Sequence, residues 1–328
     1  RILVCVTILQ ALMNPIASLV LIRMNGGTAM MRILGIVGVQ VCICVPIIVF
    51  QFCKGKEFFS KEYWGYALRI GIPIVPHYLS GIILNQGDRI MIDKMVGKTE
   101  VALYGLAYSI GMLVQLFISG MNSALTPWMY SKIKKGDIRS MRKVLQLLSV
   151  VVVGIAVALM LISPELVLIF GSPKYREAVY VIPPVAASVF FIFIYNILSM
   201  PQFYYEKTQF LMAASMAAAG ANVVLNFIFI RLFGYIAAGY TTLACYMLYS
   251  VGHYIVSKRI LVNEGIQENL MNPGFLLACS VFLIGASIIC NLIFPYRILR
   301  YAILLASAGL VFWKKELLLK TMADIRKK

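Results

Sequence analysis

The chain has 328 residues, of which 61% are hydrophobic and only 13% are charged. Soluble domains carry about 45–50% apolar and about 25% charged residues, so this composition excludes a soluble protein with a polar surface over an apolar core. The formal net charge of +17 is typical of lysine and arginine bias toward cytoplasmic loops, and we expect no nucleic-acid partner.

The apolar runs are close to the roughly 20 residues that a helix needs to cross a bilayer, and they lack the alternation of a strand. Because backbone polar groups must be bonded internally in lipid, the runs predict helices and exclude a barrel. The sequence therefore predicts an all-α integral membrane protein with about ten transmembrane helices. The predicted spans are residues 2–22, 33–53, 70–95, 101–129, 144–170, 178–200, 210–230, 235–256, 273–294 and 298–313.

The connectors between the spans predict that both ends of the chain are cytoplasmic. With that orientation, the cytoplasmic segments hold 20 lysine and arginine residues and the opposite segments hold 9. A full-length span follows Arg1 at once, so we expect the chain to be truncated at its N-terminus. Residues 54–69 mix lysine and glutamate with aromatic residues, which predicts a short helix lying in the membrane interface.

The third span contains four charges, Asp88, Arg89, Asp93 and Lys94, in an apolar setting. A charge near the bilayer centre costs about 2.5–3.5 kcal/mol on insertion scales, so these residues need a reason. Arg89 and Asp93 are four positions apart and can pair. Helical spacing places them on one face of the span together with Tyr78, Gly81 and Asn85. Two interpretations stay open: a hydrophilic lumen with a cation for an anionic ligand, or a structural ion pair near the outer end of the span.

Two further patterns bear on the lumen interpretation. Pro73 and Pro76 predict that the third helix is bent or broken near its start. The fourth span carries polar or small residues along one helical face, which favours either lumen lining or contact between helices equally. These residues are Tyr104, Tyr108, Gly111, Gln115, Ser119 and Asn122.

The sequence lacks the usual signals of an enzyme or a metalloprotein. The seven cysteines form no CxxC pair, and the two histidines, His77 and His253, are too few and too far apart to predict a metal site. There is no Walker A loop, HExxH or GxSxG, which argues against an ATP-driven pump or a hydrolase. We expect no cofactor and no bound metal.

Several motifs resemble those of a known family. They are GIP at residues 71–73, GDRIMI at 87–92, VALYGLA at 101–107, ALTP at 124–127 and FGSPKY at 170–175. Together they look like helices seven and eight, and the loop after helix nine, of Wzx-type polysaccharide (O-antigen) flippases. This family lies in the multidrug/oligosaccharidyl-lipid/polysaccharide exporter superfamily. Residues 229–242 are similar to its hairpin of helices 11 and 12, so the resemblance covers most of residues 60–257.

The resemblance implies a transporter of 12–14 helices in two six-helix lobes, with the ten spans here corresponding to helices 5–14. Residues 1–53 would then be the last helix pair of the N-terminal lobe, and residues 54–69 an interfacial linker between the lobes. Residues 70–256 would form the six-helix C-terminal lobe, and residues 257–328 an additional helix pair with a basic cytoplasmic tail.

The implied function is translocation of a lipid-linked oligosaccharide of the undecaprenyl-pyrophosphate type across the bacterial or archaeal cytoplasmic (inner) membrane by alternating access. The expected substrate contacts are Arg89, Asn85, Gln86, Tyr104, Tyr108 and Gln115. Asp88 or Asp93 is expected to couple proton or sodium movement, with membrane lipids as further partners. An ion-coupled drug or metabolite exporter of the same superfamily, and a membrane-embedded glycan polymerase or acyltransferase, remain alternatives.

Overall fold

The computed structural model describes residues 2–24, 29–56 and 59–313, and every regular element within them is helical. The all-α prediction is therefore confirmed, and each of the ten predicted spans corresponds to a helical stretch. A 3₁₀ segment, Pro173–Val181, leads directly into α7. The α-helices are α1 (Ile2–Met24), α2 (Ala29–Gly55), α3 (Lys61–Met95), α4 (Lys98–Gly111), α5 (Leu113–Lys134), α6 (Ile138–Phe170), α7 (Ile182–Tyr204), α8 (Thr208–Phe233), α9 (Ala237–Asn263), α10 (Pro273–Ile293) and α11 (Arg297–Trp313).

In this part of the chain, eight helical stretches are long and apolar enough to cross a membrane. They are α1, α2, α3, α4 with α5, α6, the 3₁₀ segment with α7, α8 and α10. Helix α9 has 27 residues but carries Thr242, Tyr246 and His253 on its buried face, which makes it less apolar. Helix α11 has 17 residues. The chain is therefore a multi-pass membrane protein.

The chain divides into two compact units, residues 1–68 and residues 69–328. In the first unit α1 and α2 pack against each other. Gly35 permits a close approach of the two helices, since a Cβ atom there would lie 2.7 Å from the backbone of Ser18. Small residues at such contacts are the usual means of packing helices in a membrane.

Helix α7 is the centre of the second unit. It packs against α4, α5, α6, α8, α9 and α10, and its residues from Ile182 to Ile194 are all buried. A helix that is apolar on every side belongs in the interior of a bundle, which is where α7 lies. The largest buried side chains on α7 are Phe190 and Phe193.

Two predictions about α3 are wrong. Residues 61–69 do not form a separate interfacial helix but are the first turns of α3, which runs for 35 residues. Of the predicted bend or break at Pro73 and Pro76, the break is wrong, since the helix continues through both residues. Membrane helices tolerate proline because neighbouring groups and small local adjustments satisfy the carbonyls that lose a donor.

The predicted fourth span is two helices rather than one. Met112 separates α4 from α5 with φ of −83° and ψ of 1°, outside the range of a regular helix. At Gly111 the end of α4 meets α7 so closely that a Cβ atom would lie 2.7 Å from Val185 Cγ1. The break divides the predicted polar face, so that Tyr104 and Tyr108 lie on α4 while Gln115 lies on α5.

Candidate functional site

The second unit has an open cavity of about 720 Å³, lined by polar and aromatic side chains of α3, α4, α7 and α9. This volume lies within the range of about 300–1,000 Å³ that is usual for ligand pockets. One wall is the α3 face that the sequence singled out, and aromatic residues of α7 and α9 stand opposite. The polar and aromatic lining residues are His77, Tyr78, Asn85, Gln86, Arg89, Tyr108, Ser109, Tyr195, Asn196, Ser199, Phe203, Tyr246 and Tyr249.

Asn85 joins three helices at the middle of the cavity wall. Its Oδ1 atom accepts a hydrogen bond of 2.7 Å from the Tyr108 hydroxyl on α4 and one of 3.2 Å from the Tyr246 hydroxyl on α9. Its Nδ2 atom donates to the Gly81 carbonyl at 2.7 Å. Because one amide satisfies partners on α3, α4 and α9 together, the cavity wall at this level is ordered before any ligand binds.

Arg89 places a cation in the cavity, and no carboxylate of the described residues forms an ion pair with it. Its Nη1 atom donates to Gln86 Oε1 at 3.3 Å, and its Cζ atom lies 5.3 Å from the centre of the Tyr108 ring. The Nε atom is buried and has no hydrogen-bond partner among the described residues. The guanidinium group therefore keeps donors that an anionic ligand could use.

The predicted ion pair between Arg89 and Asp93 is wrong. Within the residues that the structure describes, the ion pairs are Lys132–Asp137, Arg142–Glu268 and Arg300–Glu165. Long side chains on a helix point back toward its N-terminus, so Arg89 reaches toward Gln86 and away from Asp93. Asp93 and Lys94 are exposed near the end of α3, outside the cavity.

The other end of the cavity is aromatic. His77 Nδ1 and the Tyr249 hydroxyl are 3.1 Å apart, and the Tyr195 ring lies between Tyr249, at 4.5 Å, and Tyr246, at 6.3 Å between ring centres. Arg89 is twelve positions beyond His77 on α3, which corresponds to a rise of about 18 Å along the helix axis. The cavity is thus elongated, with the cation near one end and a group of rings near the other.

Asp88 does not face the cavity but is fully buried behind it. Its Oδ2 atom accepts hydrogen bonds from the Tyr104 hydroxyl at 2.5 Å and the Thr242 hydroxyl at 2.6 Å. Its Oδ1 atom accepts one from Asn226 Nδ2 at 2.5 Å. Three helices, α4, α8 and α9, therefore contribute a donor to one carboxyl group of α3.

A second layer of polar groups supports this arrangement. Asn226 Oδ1 accepts a hydrogen bond from the Thr241 hydroxyl, and Asn226 Nδ2 also lies 3.2 Å from Asn222 Oδ1. Both asparagines are fully buried. No lysine or arginine in the described ranges forms an ion pair with Asp88. The carboxyl group has donors on both oxygens and no counter-charge.

Of the eight predicted site residues, four line the cavity and four do not. Asn85, Gln86, Arg89 and Tyr108 are in the lining. Tyr104 is fully buried and holds Asp88, while Gln115 lies on α5 and is not part of the lining. Asp88 and Asp93 differ most in environment, the first being buried and the second exposed.

The sequence interpretation missed the contribution of α9. Thr242, Tyr246, Tyr249 and His253 follow one another at intervals of four, three and four residues, which places them on one helical face. Thr242 reaches Asp88, while Tyr246 and Tyr249 reach Asn85 and His77. This regular spacing of polar residues was the signal in the sequence that one face of α9 takes part in the site. The described residues hold no group of three histidine, cysteine or acidic side chains that could bind a metal ion.

Apolar helices around a cavity that contains a cation and polar side chains agree with the architecture of a membrane transporter. Comparison with known families agrees. The family described as "Polysaccharide biosynthesis protein" matches residues 1–134, and the family MatE matches residues 73–228. The chain is thus similar to two families of the polysaccharide and multidrug exporter superfamily, in agreement with the resemblance of its motifs.

Two curated relatives come from Haemophilus influenzae. "Lsg locus putative protein 1" is 28% identical over 172 residues, which are 49% of this chain and 41% of that protein. An "Uncharacterized membrane protein" is 29% identical over 191 residues, which are 54% of this chain and 46% of that protein. The chain thus spans less than half the length of either relative. No solved structure matches it.

Proposed function

We propose that the protein containing this chain flips a lipid-linked oligosaccharide across the cytoplasmic membrane for the synthesis of a cell-surface polysaccharide. The observation that carries this proposal is Arg89, a cation that lines the cavity and forms no ion pair with an acidic side chain of the described residues. A lipid-linked oligosaccharide carries a pyrophosphate between lipid and sugar, and guanidinium groups bind phosphate oxygens in a bidentate manner. The match to the polysaccharide biosynthesis family supports the same substrate class.

The shape of the cavity supports a ligand with two chemically different parts. Arg89, Gln86 and Asn85 offer charge and hydrogen bonds to a pyrophosphate and the first sugar. The rings of Tyr195 and Tyr249 offer apolar faces to further sugar units. Tyr104 and Gln115 lie outside this set of contacts, so the proposed contacts are those that line the cavity.

Asp88 is our proposed site for coupling transport to a proton or a sodium ion. An unpaired buried charge is strongly unfavourable, so a carboxylate with no counter-charge gains from binding a proton or a metal cation. The oxygens nearest Asp88 are the hydroxyls of Tyr104 and Thr242, and oxygen is the ligand atom that a hard cation such as sodium prefers. Asp93 is exposed near the end of α3 and lacks such partners.

An ion-coupled exporter of a drug or metabolite is the second candidate function. The MatE match favours it, because residues 73–228 include α4, α7 and most of α3 on three sides of the cavity. The two functions share the ion site and differ in the ligand, since a drug exporter does not need Arg89 to bind phosphate. A membrane-embedded polymerase or acyltransferase receives no support from either family match.

The test is flipping of a labelled lipid-linked oligosaccharide by proteoliposomes containing the protein at its natural length. One charged hydrogen bond contributes about 1.5–3 kcal/mol, so Arg89→Ala should slow flipping about 10- to 100-fold, and Arg89→Lys should retain part of the rate. Arg231→Ala is the matched control, because Arg231 is exposed on α8 and lies over the Phe227 ring. Unchanged flipping by Arg89→Ala would remove the basis of the proposal.

A further inference from the structure

Helix α3 is held by two sets of hydrogen bonds one turn apart, here named the ion rung and the cavity rung. In the ion rung, Tyr104 and Thr242 donate to Asp88 Oδ2. In the cavity rung, Tyr108 and Tyr246 donate to Asn85 Oδ1. Each rung draws one donor from α4 and one from α9.

The two rungs are linked through α4 and through α9, because each of these helices supplies one donor to both rungs. Tyr104 and Tyr108 are four residues apart on α4, and their ring centres are 5.8 Å apart. Thr242 and Tyr246 have the same four-residue spacing on α9. Residues at this spacing lie one above the other on a helical face. A shift of the helix that moves one donor therefore moves the other donor too.

The ion rung rearranges when a proton or cation binds Asp88 Oδ2. This atom already accepts two O–H donors, so an ion bound there takes a position that Tyr104 or Thr242 holds. Thr242 is fully buried and β-branched, which restricts rotation about its side-chain bond. Tyr104 is fully buried and its ring contacts Tyr108, so its hydroxyl moves only if α4 or the neighbouring ring moves too.

The cavity rung carries the groups that meet the ligand. Tyr108 bonds Asn85 and its ring faces the Arg89 guanidinium at 5.3 Å. Helix α4 ends just beyond, at the break formed by Met112, which itself lines the cavity. Asp88 and Arg89 are neighbours in sequence yet face different sites, so one short stretch of α3 touches both.

We propose that Tyr104 and Tyr108 couple occupancy of Asp88 to ligand binding at Arg89. This inference rests on the proposed function, because it needs both an ion at Asp88 and an anionic ligand in the cavity. The two tyrosines act as positioning residues in this coupling. The Tyr104 hydroxyl moves when an ion binds Asp88, and the Tyr108 side chain positions Asn85 and Arg89. The coupling is reciprocal, so the ligand changes the affinity for the ion by the same factor.

The experiment measures the dissociation constant of undecaprenyl pyrophosphate for the natural-length protein in nanodiscs, with and without sodium and at low and high pH. Couplings between sites usually span about 5- to 150-fold, so we expect sodium or pH to change this constant at least about fivefold. Asp88→Asn should abolish the change. Tyr104→Phe and Tyr108→Phe should each reduce it to below about twofold, whatever their effect on the constant itself.

Tyr130→Phe is the matched control, since Tyr130 contacts Tyr204 at the far end of α5, away from both rungs. It should keep the full ion effect. If Asp88→Asn removes the effect while both tyrosine variants keep it, the tyrosine coupling is refuted and the proposed function stands. If the wild-type protein binds the lipid with no ion effect, the coupling and the ion site are both refuted. If it does not bind the lipid at all, the proposed function fails as well.

Discussion

Asp88 has a structural role and a charge role, and two substitutions separate them. Asp88→Leu leaves three buried donors, from Tyr104, Thr242 and Asn226, without their acceptor. An unpaired buried donor costs about 1–3 kcal/mol in protein interiors, whereas hydrogen bonds between membrane helices average about 0.6 kcal/mol. For three donors, these scales give a loss of about 2–9 kcal/mol in the free energy of unfolding.

Asp88→Asn changes the charge but keeps most of these contacts. Its carbonyl oxygen can still accept from Tyr104 and Thr242, and the contact with Asn226 is the one that is lost. The expected loss is about 1 kcal/mol, the usual contribution of one hydrogen bond.

The assay is thermal unfolding followed by intrinsic fluorescence, with all proteins in the same lipid and detergent. Asp88→Leu should melt well below the wild-type protein, and Asp88→Asn should melt close to it. Both variants should lose any effect of sodium or pH on ligand binding, because both lack the charge. Equal melting temperatures for Asp88→Leu and the wild-type protein would refute the hydrogen-bond reasoning.

Two further predictions concern the packing that positions the cavity. Gly111→Ala should lower the melting temperature and weaken ligand binding, because the added Cβ atom would lie 2.7 Å from Val185 Cγ1, whereas Gly120→Ala, which meets nothing within 4 Å, should be neutral. A stable Gly111→Ala protein with normal binding would show that α4 does not depend on this contact. Arg300→Met should destabilise the protein by about 1.5–3 kcal/mol, the contribution of a charged hydrogen bond, since it leaves the partly exposed Glu165 without its bidentate partner, while Ala at the exposed Arg297 should have little effect. Equal melting temperatures for these two arginine variants would contradict a structural role for the Arg300 pair.

Much of the fold could be predicted because lipid acts as a simple solvent. A run of about 20 apolar residues has few alternatives to a helix, and all ten predicted spans coincide with helical stretches. The break at Met112 was not predicted, and it lies beside a close approach of Gly111 to Val185, two residues far apart in the sequence. Pro73 and Pro76 gave the opposite error, because local rules for proline overstate its effect within a membrane helix.

The candidate site was predictable in part. Helical periodicity placed Asn85 and Arg89 on one face of α3, and the cavity is lined by that face. The surroundings of Asp88 come from residues 138 and 154 positions away, Asn226 and Thr242, and local spacing on α3 carries no information about them. The Arg89–Asp93 pair was predicted from spacing alone, which ignores the direction in which a helical side chain points.

The central claim is that the cavity carries a lipid-linked oligosaccharide and not a small free solute. The most direct measurement offers both to the same proteoliposomes, a labelled undecaprenyl-pyrophosphate-linked oligosaccharide and a cationic dye, and follows each across the bilayer. The account predicts that the lipid-linked sugar crosses at a rate that depends on Arg89 while the dye does not cross. Export of the dye without movement of the lipid-linked sugar would contradict the account and favour the exporter function.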